Sequence, residues 1–363
     1  MIYFLTTRRN SKQIRNFLRS QGARFANRLT VIYYENLERL RSLKVGSFIF
    51  SDFDLLTPGQ REVVTRIFNQ LKSKYPELKL FNDPGKVLLR YDLLKRMHAL
   101  GINKFDVVRG TESFDHLKFP LFIREADRHT GPLTSLLHSS EEVKYHLRVL
   151  KALGYSLYDL LIIEYVDASA ADGMFIKMSG FVLGDTVMPR YLNYSTTWMV
   201  KSTMYPNDEL MKQRQQDVEA YMRTNPHRQW LQQVFTEANI TYGRADYAIV
   251  KGELQLWEIN LNPAFVRPPK NTSDDPPQQR FMRDEFYKQF FKVLEEADYK
   301  GEGHLELTIT GADASEMRPP LWFRIKRGFH ARLHKKKPRY NLMRAICYAF
   351  VRFRFSFSAN PKL

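Results

Sequence analysis

Residues 242–263 read YGRADYAIVKGELQLWEINLNP. The placing of Asp246, Glu258 and Asn260 in this otherwise apolar run decides how the rest of the chain is read. Alternation predicts two strands, 244–250 and 254–260, around a three-residue turn at Lys251-Gly252-Glu253. That turn sets Val250 against Leu254, Ala248 against Leu256, Asp246 against Glu258 and Arg244 against Asn260. Asp246, Ala248, Val250, Leu254, Leu256, Glu258 and Asn260 then share one face, and Tyr247, Ile249, Trp257 and Ile259 the other. Directly opposed residues sit about 4.5–5.5 Å apart. Two carboxylates at that distance call for a positive charge between them, and a hard divalent cation with oxygen ligands is the economical solution. Polar strand ends wetted by solvent are the alternative.

At 363 residues the chain has room for two or three domains with proper cores. Hydrophobic residues at 44% and charged residues at 26% describe an ordinary folded protein. No apolar run approaches the roughly 18–20 residues of a membrane span. The opening MIYFLTTRRNSK has too short an apolar segment for a signal peptide, and its charges follow that segment. Cys347 is the only cysteine, which excludes an intrachain disulfide and cysteine-based metal sites. The expected compartment is the cytoplasm. Of the net charge of +17, most is local: residues 318–363 carry 13 bases and no acids.

Along the chain, strands are expected at 2–7, 28–34 and 46–56 and a strand and turn over 78–84, with helices around Ile14, Phe17 and Leu18 and over 58–75. This β-α-β rhythm indicates a small open α/β domain. No G-x-G-x-x-G follows the first strand, so dinucleotide binding has no support. Further helices are expected at 86–101, 140–153, 207–223, 227–238 and 280–297. Strands are expected at 118–124 and 158–167, with a hairpin over 173–193 turning at Gly184-Asp185.

The pieces NDP (82–84), FPLFIR (119–124), LIIEYVD (161–167), FIKMSGFVLGD (175–185) and the 242–263 ribbon occur in an order that resembles the ATP-grasp superfamily. Its glutathione synthetase and D-alanine–D-alanine ligase branch is the nearest. The resemblance covers about residues 1–300 and is most specific at the Arg-x-Asp strand, turn and Glu-x-Asn strand. It implies α/β plus α+β architecture: a pre-ATP-grasp-like domain (1–85), a two-lobed ATP-grasp domain (86–300) and a basic extension (301–363). It also implies ATP and Mg²⁺, with Asp246, Glu258 and Asn260 as metal ligands. Glu164 with the backbone of Tyr165 and Val166 would form the adenine hinge, and Asp167 or Asp172 would lie near the ribose. Arg124 stands at the strand-lysine position that reaches the phosphates. Lys177, Arg190, Lys201 and Arg244 are the other candidate cations, Arg244 matching a position that faces an acyl phosphate.

The chain departs from the pattern in three places. Arg124 replaces the lysine, the upstream lysine is straddled by Arg90 and Lys95, and ADRHTGP (126–132) offers one glycine, Gly131, where the phosphate flap is usually glycine-richer. His129 in that loop could touch phosphate or substrate.

The expected chemistry is an ADP-forming ligation. A carboxylate attacks the γ-phosphoryl group, and an amine opens the acyl phosphate to an amide, so alignment and charge neutralisation carry the reaction. The alternatives are a nucleotide-binding module without turnover and an interaction protein acting through its tail. In that tail, Leu342, Ile346, Phe350 and Phe353 recur at helical spacing among arginines. This pattern suits docking on the body or on a second subunit of a homo-oligomer, or an anionic membrane surface. Nucleic acid is a third partner class it would fit.

Overall fold

The computed structural model describes residues 1–363 apart from 129–130, 201–207, 266–275 and most of 319–363. Within that last segment only Ile325, Gly328, Phe329, Leu342, Ala345, Ile346, Ala349, Phe350 and Phe353 are described. Lys201 and His129 lie outside the described residues.

The chain begins β1 (Ile2–Thr6), α1 (Lys12–Leu18), β2 (Leu29–Tyr33), β3 (Ser42–Lys44), β4 (Ser47–Phe50), α2 (Pro58–Lys74), β5 (Leu80–Phe81) and α3 (Arg90–Ala99). There follow β6 (Val107–Arg109), β7 (Leu121–Glu125), α4 (Ser140–Ala152), β8 (Leu160–Glu164), β9 (Phe175–Leu183) and β10 (Thr186–Ser195). Next come α5 (Asp208–Gln213), α6 (Gln215–Thr224), α7 (Arg228–Glu237), β11 (Tyr242–Val250) and β12 (Glu253–Asn260). The last named elements are α8 (Pro277–Ala297), β13 (His304–Glu306) and α9 (Gly311–Glu316). Most expected elements are present, with shorter ends. The strand expected over 46–56 stops at Phe50, and that over 78–84 keeps two residues.

The elements form two compact units, one of Met1–Lys104 with Asp167–Arg318, the other of Phe105–Val166 with Pro319–Leu363. In the first unit the N-terminal elements and the acid-bearing ribbon contribute to a single hydrophobic core. Its parallel sheet has the order β2-β1-β4-β5, so the chain steps outward in opposite directions from β1 and β4. Its antiparallel sheet has the order β10-β9-β11-β12. The apolar stripe of α8, with Phe286 and Phe290 against Phe181, covers part of one face of this sheet. The Tyr247 side is covered by α6 and α7, where the Tyr221 hydroxyl meets that of Tyr247 at 2.9 Å and Trp230 packs on the Tyr247 ring.

The β11–β12 ribbon differs from its expected pairing in two places that cancel. The turn has two residues, Lys251 and Gly252, both at positive φ (+49° and +86°), as a tight hairpin turn of primed type requires. Val250 therefore faces Glu253, Ile249 faces Leu254, Ala248 faces Gln255 and Tyr247 faces Leu256. A bulge then inserts Trp257 as an extra residue, and beyond it Asp246 faces Glu258 and Arg244 faces Asn260 as expected. Leu254 and Leu256 consequently share the Tyr247 face, not the acid face.

In the second unit an antiparallel sheet, β6-β8-β7, packs its apolar side with α4 around Leu121, Ile123, Val143, Leu150, Leu160 and Ile162. The Ser139 hydroxyl caps α4 by accepting from the Glu142 amide at 3.2 Å. Of the tail, Leu342, Ile346 and Phe350 are helical and 71%, 59% and 61% exposed. Among the described residues no helix is long and apolar enough to cross a membrane.

Candidate functional site

Register places Tyr191, Ser179, Asp246 and Glu258 in one row across all four strands of the antiparallel sheet. Side chains alternate along each strand, so Lys177 on β9 and Arg244 on β11 reach the same face from two residues away. The contacts bear this out. Asp246, 3% exposed, accepts at Oδ1 from Arg244 Nε (2.8 Å), the Ser179 hydroxyl (2.9 Å) and the Tyr191 hydroxyl (3.1 Å). Its Oδ2 lies 3.2 Å from Arg244 Nη2, 3.1 Å from the Tyr191 hydroxyl and 3.5 Å from Lys177 Nζ. Burial pushes the Asp246 carboxyl up, but Arg244 and Lys177 outweigh it and hold it below the usual carboxylate range. Burial likewise works against the Lys177 charge, and Asp246 more than restores it.

Arg190 reaches the same cluster by a different device. The pairing of β10 with β9 slips between Pro189 and Tyr191, so Arg190 is the extra residue of a bulge. A bulge re-aims a side chain that alternation would send to the other face. The guanidinium carbon of Arg190 lies 5.8 Å from the Tyr191 ring centre and 4.6 Å from that of Phe286. Arg244 and Lys177 flank the same Tyr191 ring at 5.3 and 5.6 Å. Three cations thus surround one aromatic ring whose hydroxyl meets one carboxylate. Burial, then repulsion from Arg244, lowers the Arg190 pKa to about 10, so it remains charged at neutral pH.

Glu258 has a partner of its own. Arg90, at the start of α3, donates to Glu258 Oε2 at 2.6 Å, while the Asn260 amide donates to Oε1 at 3.3 Å. Carboxylate oxygens facing across one row are donors of the right chemistry for a hard dication. Both oxygens of Asp246 face protein donors, with the Tyr191 hydroxyl shared between them, and Arg90 holds one oxygen of Glu258. In this arrangement protein cations balance Asp246 and Glu258, and these two carboxylates with Asn260 are the oxygen donors that would hold a divalent cation.

The other expected residues fall as follows. The Glu164 carboxylate, at the end of β8, accepts from the Asp106 amide (2.9 Å) and the Lys118 amide (2.6 Å), clamping two chain segments. The Tyr165 amide donates to the Pro120 carbonyl at 2.9 Å, and Val166 is half-buried. Arg124 on β7 donates to the Arg128 carbonyl at 3.3 Å. Asp167 accepts from the Ser169 amide at 2.9 Å, and Asp172 pairs with Arg214, which depresses its pKa first among several causes. Asp172 is thereby tied to the junction of α5 and α6.

Tyr191 and Ser179 were not singled out in the sequence. Their signal is the adjacency of Arg190-Tyr191 in a strand opposite Lys177, readable only once the bulge is known.

A second polar cluster lies at the carboxyl ends of β1 and β4, where the parallel sheet changes direction and α/β folds commonly bind ligands. Asp52, held at φ +60°, accepts from the amide (3.1 Å) and hydroxyl of Thr7 and from Asn10 Nδ2 (2.8 Å). Asn262, two residues beyond Asn260, donates to the Thr6 hydroxyl at 3.1 Å. Burial, then Asp54, raises the Asp52 pKa to about 6 against the hydrogen bonds that oppose it. The folded state therefore holds this proton more tightly than the unfolded chain. Stability from this group is fully present below pH 4 and declines as pH rises to 6, by roughly 3 kcal/mol in all. Urea denaturation of Asp52→Asn and the parent between pH 4 and 7 should show that decline in the parent alone.

No family model and no curated protein matches the chain. Among solved structures, D-alanine–D-alanine ligase from Bacillus anthracis matches 82% of this chain and 97% of its own, at 11% identity and a TM-score of 0.47. The Helicobacter pylori enzyme of that name matches 82% and 98%, at 12% identity and 0.44. L-amino acid ligase from Bacillus licheniformis matches 72% and 66%, at 9% identity and 0.38. At these values the chain is similar to such structures, and nothing about its function depends on that similarity.

Proposed function

We propose that this chain is an ATP-grasp ligase that joins a carboxylate to an amine through an acyl phosphate, releasing ADP. The single observation supporting this most is the cluster around Tyr191. Arg244 and Lys177 pair there with one carboxylate, Asp246, and Arg190 approaches the same tyrosine ring. Phosphoryl transfer asks mainly for aligned positive groups at the oxygens where charge gathers. Arg244 has the planar fork that matches two oxygens of a phosphoryl or carboxylate group. Asp246 fixes that fork by accepting from both Nε and Nη2. Tyr191 and Ser179 fix Asp246 in turn. The order of motifs from NDP to Glu-x-Asn supports the same reading. Asp246, Glu258 and Asn260 would hold the magnesium expected from the resemblance, which would add positive charge at the phosphate oxygens.

The test is ADP release by the full chain with ATP and pools of carboxylic acids and amines, with hydroxylamine added to trap an acyl phosphate as its hydroxamate. Hydroxamate should form with the correct acid before any amine is supplied. Arg244→Met should then lower kcat about 100- to 1,000-fold, the scale of losing one aligned donor at a developing oxyanion. Absence of ADP and hydroxamate across broad pools would leave the second reading, nucleotide binding without turnover.

A further inference from the structure

Ligase chemistry gives the C-terminal segment no part to play. Residues 318–363 carry 13 bases and no acids, while the preceding residues carry 43 bases and 39 acids. Within the segment Leu342, Ala345, Ile346, Ala349, Phe350 and Phe353 are all helical and exposed. They fall at i, i+3, i+4, i+7, i+8 and i+11, the spacing of one helix face. Leu342, Ile346 and Phe350 are 71%, 59% and 61% exposed, so large apolar side chains on successive turns meet water. Ile325, also helical, is 63% exposed. Single exposed apolar groups are ordinary on any protein, whereas several in one stripe mark an interaction surface. The sequence sets Arg344 and Arg352 off this stripe, at i+2 and i+10, and places HKKKPR (334–339) just before it.

Whatever covers the stripe must also answer the charge beside it. A second copy would bring another 13 bases and no acids against the first, and the rest of the chain is itself slightly basic. Nucleic acid would neutralise the bases but leave the aliphatic groups in water. An anionic lipid leaflet satisfies both, with headgroups for the bases and the acyl boundary for Leu342, Ile346 and Phe350. At helical rise the stripe is about 17 Å long, against roughly 30 Å of hydrocarbon in a bilayer, which suits lying on the surface and not spanning it. We infer that residues 318–363 hold this protein to an anionic membrane surface, the stripe in the interface and the bases on the headgroups. The inference goes beyond the ligase reading and does not rest on it.

The experiment is flotation of the full chain with vesicles of phosphatidylcholine alone and of phosphatidylcholine with about 30% phosphatidylserine. The parent should bind the anionic vesicles at least about tenfold more tightly, since each base near the headgroups contributes up to about fivefold. Raising the salt from about 0.1 M to about 0.5 M should weaken that binding. Leu342→Gln, Ile346→Gln and Phe350→Gln made together should weaken it by at least about 100-fold. All three positions are exposed, so the melting temperature should stay that of the parent. Lys335→Gln, Lys336→Gln and Lys337→Gln made together should weaken binding to the anionic vesicles alone. Equal binding to both vesicles, no binding, or binding that the apolar substitutions leave unchanged would overturn the inference. A parent dimer that those substitutions turn into a monomer, without vesicle binding, would overturn it in favour of a second copy. Binding of a polynucleotide in place of vesicles would overturn it in favour of nucleic acid. ADP release is measured without lipid, so failure here leaves the ligase reading untouched, and the reverse holds.

Discussion

Asp246→Ala should cost about 3–5 kcal/mol of stability in urea denaturation, the scale for stranding buried charges by removing their partner. The substitution deletes the acceptor for two Arg244 hydrogen bonds, for Tyr191 and Ser179, and the counter-charge of Lys177. Asp246→Asn keeps the shape and loses the charge, so it should fall between the parent and the alanine variant. Adding Arg244→Met to Asp246→Ala should recover part of the loss, because one stranded cation is then gone. The pH dependence has a definite sign. The Asp246 carboxyl is held below its ordinary range, so its contribution is present above about pH 4 and lost as pH falls further through its folded value. The gap between parent and Asp246→Asn should therefore narrow below pH 4. Formate or phosphate should stabilise Asp246→Ala more than the parent, since a free anion can take the vacated place between the cations. If the alanine variant is as stable as the parent at neutral pH, the carboxylate is not the keystone of this face.

The facing of Asp246 and Glu258 was legible in the sequence because one face of the ribbon is apolar and side chains alternate strictly. It was reached through a compensation. The turn is one residue shorter than expected, and the Trp257 bulge restores the count. Neither leaves a mark on the periodicity within five residues. What opposed acids imply was not legible, because their partners come from afar. Arg90 is 168 positions from Glu258, and Ser179 is 67 from Asp246. A long-range ion pair and a bound dication answer the same local problem, and alternation cannot choose between them. Arg190 shows the converse case. Strict alternation sends it away from Tyr191, and a bulge brings both to the cluster. Elements with strong amphipathic stripes, such as α2, α4 and α7, were read almost to their ends. The N-terminal sheet and the acid ribbon share a core that no stretch of sequence reveals.

The NDP motif explains how those two sheets are joined, and Asn82→Ala should cost about 5–6 kcal/mol. Asn82 sits at φ +63° and is 1% exposed. Its amide donates to the carbonyls of Phe50 (3.0 Å) and Tyr242 (2.8 Å), and its side-chain oxygen accepts from the amides of Thr241 and Tyr242, both at 2.9 Å. One side chain thus ties the end of β4 to the first residue of β11, two positions before Arg244. Alanine leaves four backbone groups without their partner, at about 1 kcal/mol each once water and relaxation are counted. It also keeps a left-handed backbone that costs an ordinary residue about 1–2 kcal/mol. Glycine at the same position meets the first loss but not the second, so Asn82→Gly should be the more stable of the two by about 1 kcal/mol. Hydrogen exchange distinguishes this local account from general loosening. The amides of Thr241 and Tyr242 should speed up in both variants by more than those of β8, whose pairing lies in the other unit. If alanine and glycine are equally destabilising, backbone strain at Asn82 contributes nothing. If exchange rises evenly through the chain, the asparagine is not the tie that places β11, and the position of Arg244 must be set by the sheet alone.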